Sequence, residues 1–220
     1  MDDKTRKMTK GSNKVKSCYD AVAGAYAAEL FDELSKKPLD RLLLKQFASE
    51  NREKGKMIDL GCGPGQTTRF LADDGVKDLL GTDLSTGMIA TARELNPDLE
   101  FQTADMLKLD FPNGCFASAI AFYAIVHITP AQLKTAFNEI WRILKSNGQF
   151  LLSFHIGDDI IHRDEFFGEK TDIDFYFFQT AAVSQLLKET GFGMIDAIER
   201  YPYEGAEHPS KRAYLWVEKG

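Results

Sequence analysis

The sequence predicts an α/β fold: a doubly wound, mostly parallel seven-stranded sheet that ends in a C-terminal antiparallel hairpin. Three observations carry that expectation. From Lys56 to Phe154, short apolar runs alternate with amphipathic stretches, the rhythm of strand–helix–strand units. The first run, Met57-Ile-Asp-Leu, breaks into glycines at 61, 63 and 65, as a strand does when it turns sharply into a helix. Near the C-terminus only eight residues, Glu204 to Lys211, separate two strand candidates, too few for a crossover helix.

Val15, Cys18, Tyr19, Val22, Tyr26 and Leu30 recur at helical spacing and define a first amphipathic helix. A second covers Leu39 to Ala48, with Pro38 near its start. Strands follow at 56–60, 77–82 and 99–103, with helices from 65 and over 85–95, the latter capped by Ser85. Pro112-Asn-Gly114 is a turn. Ala117 to Phe122 is a continuous apolar run, as in a parallel strand buried on both faces. Pro130 to Leu144 reads as a helix stopped by Asn147-Gly148, and Gln149 to Phe154 as the next strand. Gln179 to Thr190 is a helix closed by Gly191, and Met194 to Tyr203 and Arg212 to Glu218 are the hairpin strands. The chain thus divides into a tail with one helix over 1–40 and an α/β domain over 41–220.

Composition narrows the function classes. The length of 220 residues suits one domain with a full core. No apolar run reaches membrane-spanning length, and Met1 to Lys16 lacks the apolar region of an export signal. Cysteines at 18, 62 and 115 form no ligand pair, which argues against a disulfide framework or a metal centre and for a reduced, cytoplasmic protein. A net charge of -6 argues against nucleic acid as a partner, because such binding rests on a basic surface. The only basic run is Lys4, Arg6, Lys7, Lys10, Lys14 and Lys16, which reads as a solvated, disordered tail. None of this fixes an oligomeric state.

The glycine loop carries the chemistry. A dinucleotide fingerprint would place a third glycine at position 66; that position is Gln, and the third glycine comes one place early at 65. Val76 to Asp83 reads as a strand ending in a carboxylate, able to take both hydroxyls of a ribose. The strand over Leu99 to Thr103 runs into Ala104-Asp105-Met106. Asp59, Asp83 and Asp105 therefore sit at the carboxyl ends of three successive strand candidates. Asp59-Leu-Gly61-Cys-Gly63-Pro-Gly65 resembles the first motif of the class I S-adenosylmethionine-dependent methyltransferases, acid-x-Gly-x-Gly-x-Gly, without a mismatch. Tyr19-Asp20, followed by Ala23 and Tyr26, resembles a Tyr-Asp-x-x-Ala-x-x-Tyr pattern of their small-molecule members.

That resemblance implies a Rossmann-like sheet with its last strand inserted, and S-adenosylmethionine as cofactor. It implies a cofactor site at Tyr19, Asp59, Gly61, Cys62, Gly63, Gly65, Asp83, Leu84, Met88, Asp105, Met106 and Phe122. The methyl acceptor is then a small molecule beside Phe122-Tyr123-Ala-Ile-Val-His127. The same stretch lacks the Asp/Asn-Pro-Pro-Tyr-like motif of enzymes that methylate nucleic-acid amino groups. His127, His155 and His162 are candidate general bases, since an unshifted imidazole titrates near neutrality; structural histidines are the alternative.

Gly157 to Phe178 breaks the strand–helix rhythm. Phe166, Phe167, Phe175, Tyr176, Phe177 and Phe178 crowd it, with seven acids against Arg163 and Lys170. One reading is an aromatic helix packed on the core. The other is a cap over a neutral or cationic substrate, with Tyr123, His155, Phe166 and Tyr176 as its contacts. Two rival functions remain: an NAD-binding oxidoreductase, and a cofactor-binding regulatory protein without turnover.

Overall fold

A computed structural model describes residues 10–220. Helix α1 spans Lys10–Leu30 and α2 spans Pro38–Asn51, joined by a short 3-10 turn at Glu33–Lys36. The α/β body follows: β1 Met57–Leu60, α3 Gln66–Asp73, β2 Leu79–Asp83, α4 Thr86–Leu95, β3 Glu100–Thr103, β4 Phe116–Phe122, α5 Pro130–Ile143 and β5 Leu144–His155. A small hairpin, β6 Ile160–Phe166 and β7 Glu169–Tyr176, precedes α6 Thr180–Thr190, β8 Phe192–Arg200 and β9 Arg212–Lys219.

Seven strands form one sheet in the order β3-β2-β1-β4-β5-β9-β8. The first five pair in parallel, while β9 lies antiparallel between β5 and β8. Strand periodicity explains the two-sided core. Ile58, Leu60, Phe150 and Leu152 meet Phe137 and Ile140 of α5 and Val183 and Leu187 of α6. The alternate residues Met57, Ile120, Leu151 and Trp216 meet Leu44 and Phe47 of α2 and Leu71 of α3. Chain order reverses between β1 and β4, which opens a crevice at their carboxyl ends.

Three expectations are corrected. Gly157 to Phe178 is not a helix but the β6–β7 hairpin, pairing Ile161 with Phe175 and Phe166 with Glu169. Its two tip residues, Phe167 (φ 48°) and Gly168 (φ 79°), both take left-handed backbone, as a tight type I′ hairpin turn requires. Lys10, Lys14 and Lys16 belong to α1 rather than to a disordered tail; Lys16 pairs with Asp20 and Lys14 with Asp172 of β7. Lys4, Arg6 and Lys7 lie outside the described residues. Finally, Asp59 sits inside β1, not at its end, and is buried. Among the described residues no helix is long and apolar enough to cross a membrane.

Candidate active site

A cavity of about 470 Å³ follows the carboxyl ends of the parallel strands. Its first half is backbone and carboxylate. The Gly61 and Cys62 amides donate to the Thr82 carbonyl at 2.7 and 2.9 Å, which bends the chain back over β2. Gly61 has φ 73°, and a Cβ there would stand 2.4 Å from the Ala124 Cβ. Only glycine fits. Asp83 accepts from the amides of Gly63 (3.0 Å) and Ser85 (2.8 Å), yet burial still pushes its carboxyl up to about 6. Burial likewise raises Asp59 to about 7, against a 2.7 Å hydrogen bond from the Thr68 hydroxyl. Leu84, Met88, Asp105, Met106 and Cys62 complete this wall. Asp105 also accepts from the Leu107 amide at 2.9 Å, closing the turn after β3.

The side of α1 closes over this half. Asp20 accepts from the Ser85 hydroxyl (2.7 Å) and the Gly87 amide (2.8 Å), anchoring α1 to the first turn of α4. The neighbouring Tyr19 hydroxyl lies 2.7 Å from His127 Nε2, while His127 Nδ1 lies 2.9 Å from the Asp174 carbonyl. A carbonyl only accepts, so Nδ1 carries the proton and Nε2 accepts from Tyr19. Burial pushes His127 down to about 4, which keeps this chain of hydrogen bonds neutral. Phe166 and Phe167 at the hairpin tip pack against Tyr19 and Tyr26, in the cluster that holds Met88. Phe166 therefore stands over the glycine-loop half of the cavity.

The other half is built from side chains far apart in sequence. Phe122 ends β4, and Tyr123 beyond it adopts φ 54°, strained for a tyrosine. Its hydroxyl donates to Asp40 Oδ2 at 3.0 Å. Asp40, fully buried in α2, also accepts from the Tyr214 hydroxyl at 2.5 Å and Arg200 Nη2 at 3.0 Å. Glu207 grips Arg200 through both oxygens at 2.6 and 2.7 Å. Burial opposes its ionisation, but Arg200 and the Tyr203 amide more than offset this and hold its carboxyl down at about 2. His155 stacks on Phe177 with ring centroids 4.9 Å apart and makes a 2.8 Å hydrogen bond to Ser210 Oγ. Burial, then Arg212 and His208, depress it to about 3.

The cavity wall thus gathers every site candidate except two. Gly65 caps α3 instead (φ 90°), where a Cβ would stand 2.9 Å from both Asn96 Nδ2 and Phe101 Cζ. His162 projects from the exposed side of β6, held by Asp174 (2.8 Å) and Asp164 (3.0 Å), hydrogen bonds that raise its pKa. It does not reach the cavity. Tyr176 lines the wall beside Phe175, which packs 4.5 Å from His127. Sequence reasoning missed Lys37, Asp40, Arg200, Glu207 and Arg212.

A glycine loop beside carboxylates at the switch point of a doubly wound sheet stands where this architecture binds its ligands. Comparison with known proteins specifies it: residues 57–148 match the family described as a methyltransferase domain. A demethylmenaquinone methyltransferase of Beutenbergia cavernae is 29% identical over 66% of this chain and 60% of its own length. Phosphoethanolamine N-methyltransferase 3 of Arabidopsis thaliana is 30% identical over 66% of this chain and 30% of its own. An 18S rRNA (guanine-N(7))-methyltransferase of Saccharomyces cerevisiae is 33% identical over 47% and 41%. The crystal structure of a magnesium protoporphyrin IX methyltransferase from Synechocystis shares the fold, with TM-score 0.70, 14% identity and coverage of 98% and 100%. Residues 57–148 thus match a methyltransferase domain, and the chain shares its fold with an enzyme of that kind crystallised with S-adenosylmethionine bound. It spans 60% of the first of these relatives and about a third of the second.

Proposed function

We propose that the chain transfers the methyl group of S-adenosylmethionine to an O, N or C nucleophile of a small molecule. The observation that carries this reading is a single cavity running from Gly61 and Asp83 to Tyr123 and His155. The bare backbone at Gly61 and Gly63 and the carboxylates fit the cofactor. Asp83 would hold the ribose hydroxyls and Asp105 with Met106 the adenine, enclosed by Tyr19, Leu84, Met88 and Phe122. When bound, the cofactor supplies a methyl group already activated by a sulfonium charge. Desolvation pushes the buried Asp59 and the half-buried Asp83 toward their neutral forms, and a cationic ligand restores their ionisation. A dinucleotide would instead set its pyrophosphate against two acids, which weighs against the NAD rival.

The protein's contribution is alignment and exclusion of water. Holding reactants in line supplies about 7–11 kcal/mol. Neither half-buried imidazole is tuned as a strong base, since desolvation holds His127 near 4 and His155 near 3. The acceptor atom then arrives with its lone pair exposed rather than losing a proton to the protein. The hairpin within 157–178 forms the cap and α1 the lid. A small molecule suits the net charge of -6, and a reducing compartment such as the cytoplasm suits three free cysteines, two of them buried. Incubation with methyl-labelled cofactor and a metabolite extract, with tRNA in parallel, tests the reading. Label in a small molecule is expected; label in tRNA alone would overturn it, and label nowhere would leave the regulatory rival standing.

A further inference from the structure

At its acceptor end the cavity has more hydrogen-bond donors than acceptors. The carboxylates are already committed: Asp40 to Tyr123, Tyr214 and Arg200, and Glu207 to Arg200 and the Tyr203 amide. The cations are ion-paired as well, Arg212 with Glu207 and Lys37 with Glu33, but neither is fully hydrogen-bonded among the described residues. Arg212 lines the cavity at 2% exposure, and its anchoring hydrogen bonds all leave from Nη1, to the carbonyls of His208 and Ser210 and to Ser210 Oγ. Its Nε lies 3.6 Å from Glu207 Oε1 and donates no hydrogen bond among the described residues. Lys37, also buried on this wall, donates to Glu33 and lies 4.7 Å from the Tyr123 ring centroid, leaving its other ammonium hydrogens for a ligand. Buried polar groups are ordinarily satisfied, so an unused guanidinium N–H in a nearly dry wall points to a missing partner.

We infer that the acceptor carries an anionic group, a carboxylate or a phosphate, that docks against Arg212 and Lys37. Its reacting atom then faces the glycine-loop half across Tyr123 and His155. The inference rests on the methyl-transfer reading and names its substrate class. A cationic headgroup finds no unused oxygen on Asp40 or Glu207, so the acids of the hairpin do not set the preference at this wall.

Calorimetry on the full chain saturated with S-adenosylhomocysteine tests this with matched probes: benzoate against benzamide, and phenyl phosphate against phenol. At least one anion should bind about tenfold or more tightly than its neutral partner, and the pair that responds separates carboxylate from phosphate. Arg212→Gln and Lys37→Gln should each remove most of that preference while S-adenosylhomocysteine affinity stays within about threefold of wild type. Lys37→Gln carries the test if Arg212→Gln fails to fold. Neutral partners binding equally well, anions failing to bind at millimolar concentration, or variants keeping the preference would overturn the inference. Failure of the wild type to bind S-adenosylhomocysteine would instead overturn the methyl-transfer reading beneath it.

Discussion

The two halves of the cavity are built by different means. The glycine-loop half uses backbone amides and carboxylates from three successive strands, Asp59 within β1, Asp83 at the end of β2 and Asp105 just after β3. Its surplus is negative, since neither Asp59, which is buried, nor the half-buried Asp83 has a cationic partner among the described residues. The acceptor half uses side chains, and its surplus is donors. Its central hydrogen bonds join Asp40 to Arg200 and Tyr214, positions 160 and 174 residues apart. On the proposed reading, cofactor binding is written in local backbone, whereas acceptor specificity is assembled from distant side chains. A cationic cofactor and an anionic acceptor would each meet the complementary wall.

The sharpest way to break this division is at the glycine loop. Gly61→Val should abolish cofactor binding, because even a Cβ would collide with Ala124 at 2.4 Å. Relief of that overlap should also cost about 1–3 kcal/mol of stability. Calorimetry with S-adenosylhomocysteine and thermal unfolding measure the two effects. If the variant binds normally, the loop is not the cofactor cradle.

Next in size is Asp83→Ala. Losing charge-assisted hydrogen bonds of about 1.5–3 kcal/mol each should weaken cofactor binding at least about tenfold. The fold should persist, because Asp83 ends a strand outside the apolar core; an unchanged dissociation constant would remove it from the ribose site.

The acids also predict a pH dependence. Asp59 and Asp83 titrate near 7 and 6 in the folded chain, and a cationic ligand favours their ionised forms. S-adenosylmethionine affinity should therefore rise with pH through that window and fall below it. The neutral-sulfur product should respond less. Folding runs the other way for these two groups. With folded pKa values raised above the unfolded ones, their contribution to stability is fully present below about pH 4 and is lost as pH climbs through 6 to 7. Asp59→Asn should thus raise the thermal midpoint near pH 8 while weakening S-adenosylmethionine binding. A lower midpoint would contradict the burial argument.

The smallest effects separate the hairpin tip from the acceptor wall. Phe166→Ala should weaken cofactor binding several-fold, because the ring packs on Tyr19 in the Met88 cluster. Tyr123→Phe should leave cofactor affinity within about threefold and act on acceptor turnover, as lost substrate contacts do. If the two variants trade phenotypes, the division of the cavity is drawn in the wrong place.

What could be read in advance follows the same boundary. Gly61, Gly63, Asp83 and Asp105 announce themselves because their roles depend on neighbours a few residues away. Ser85 was legible as a cap for that reason, and its hydroxyl does accept from the Met88 amide at 3.0 Å. Asp40 gave no signal: on an amphipathic helix it resembles any solvated acid, and its partners lie at the other end of the chain. The hairpin was hidden by its aromatics and acids, and Ile160 to Phe166 shows no apolar alternation to announce a strand. His155, just past the fifth strand, and His162, in the segment beyond it, offered the same chemistry. Pairing separates them, since β5 aims the first at the cavity while β6 turns the second to solvent.

The central claim is that the glycine loop and its buried acids are built for a cationic sulfur nucleoside. One calorimetric series measures it most directly, titrating wild type and Asp83→Asn with S-adenosylmethionine, S-adenosylhomocysteine and NAD. Both sulfur nucleosides should bind the wild type, Asp83→Asn should weaken both, and NAD should give no heat. Binding of NAD with no response to either sulfur nucleoside would contradict the account.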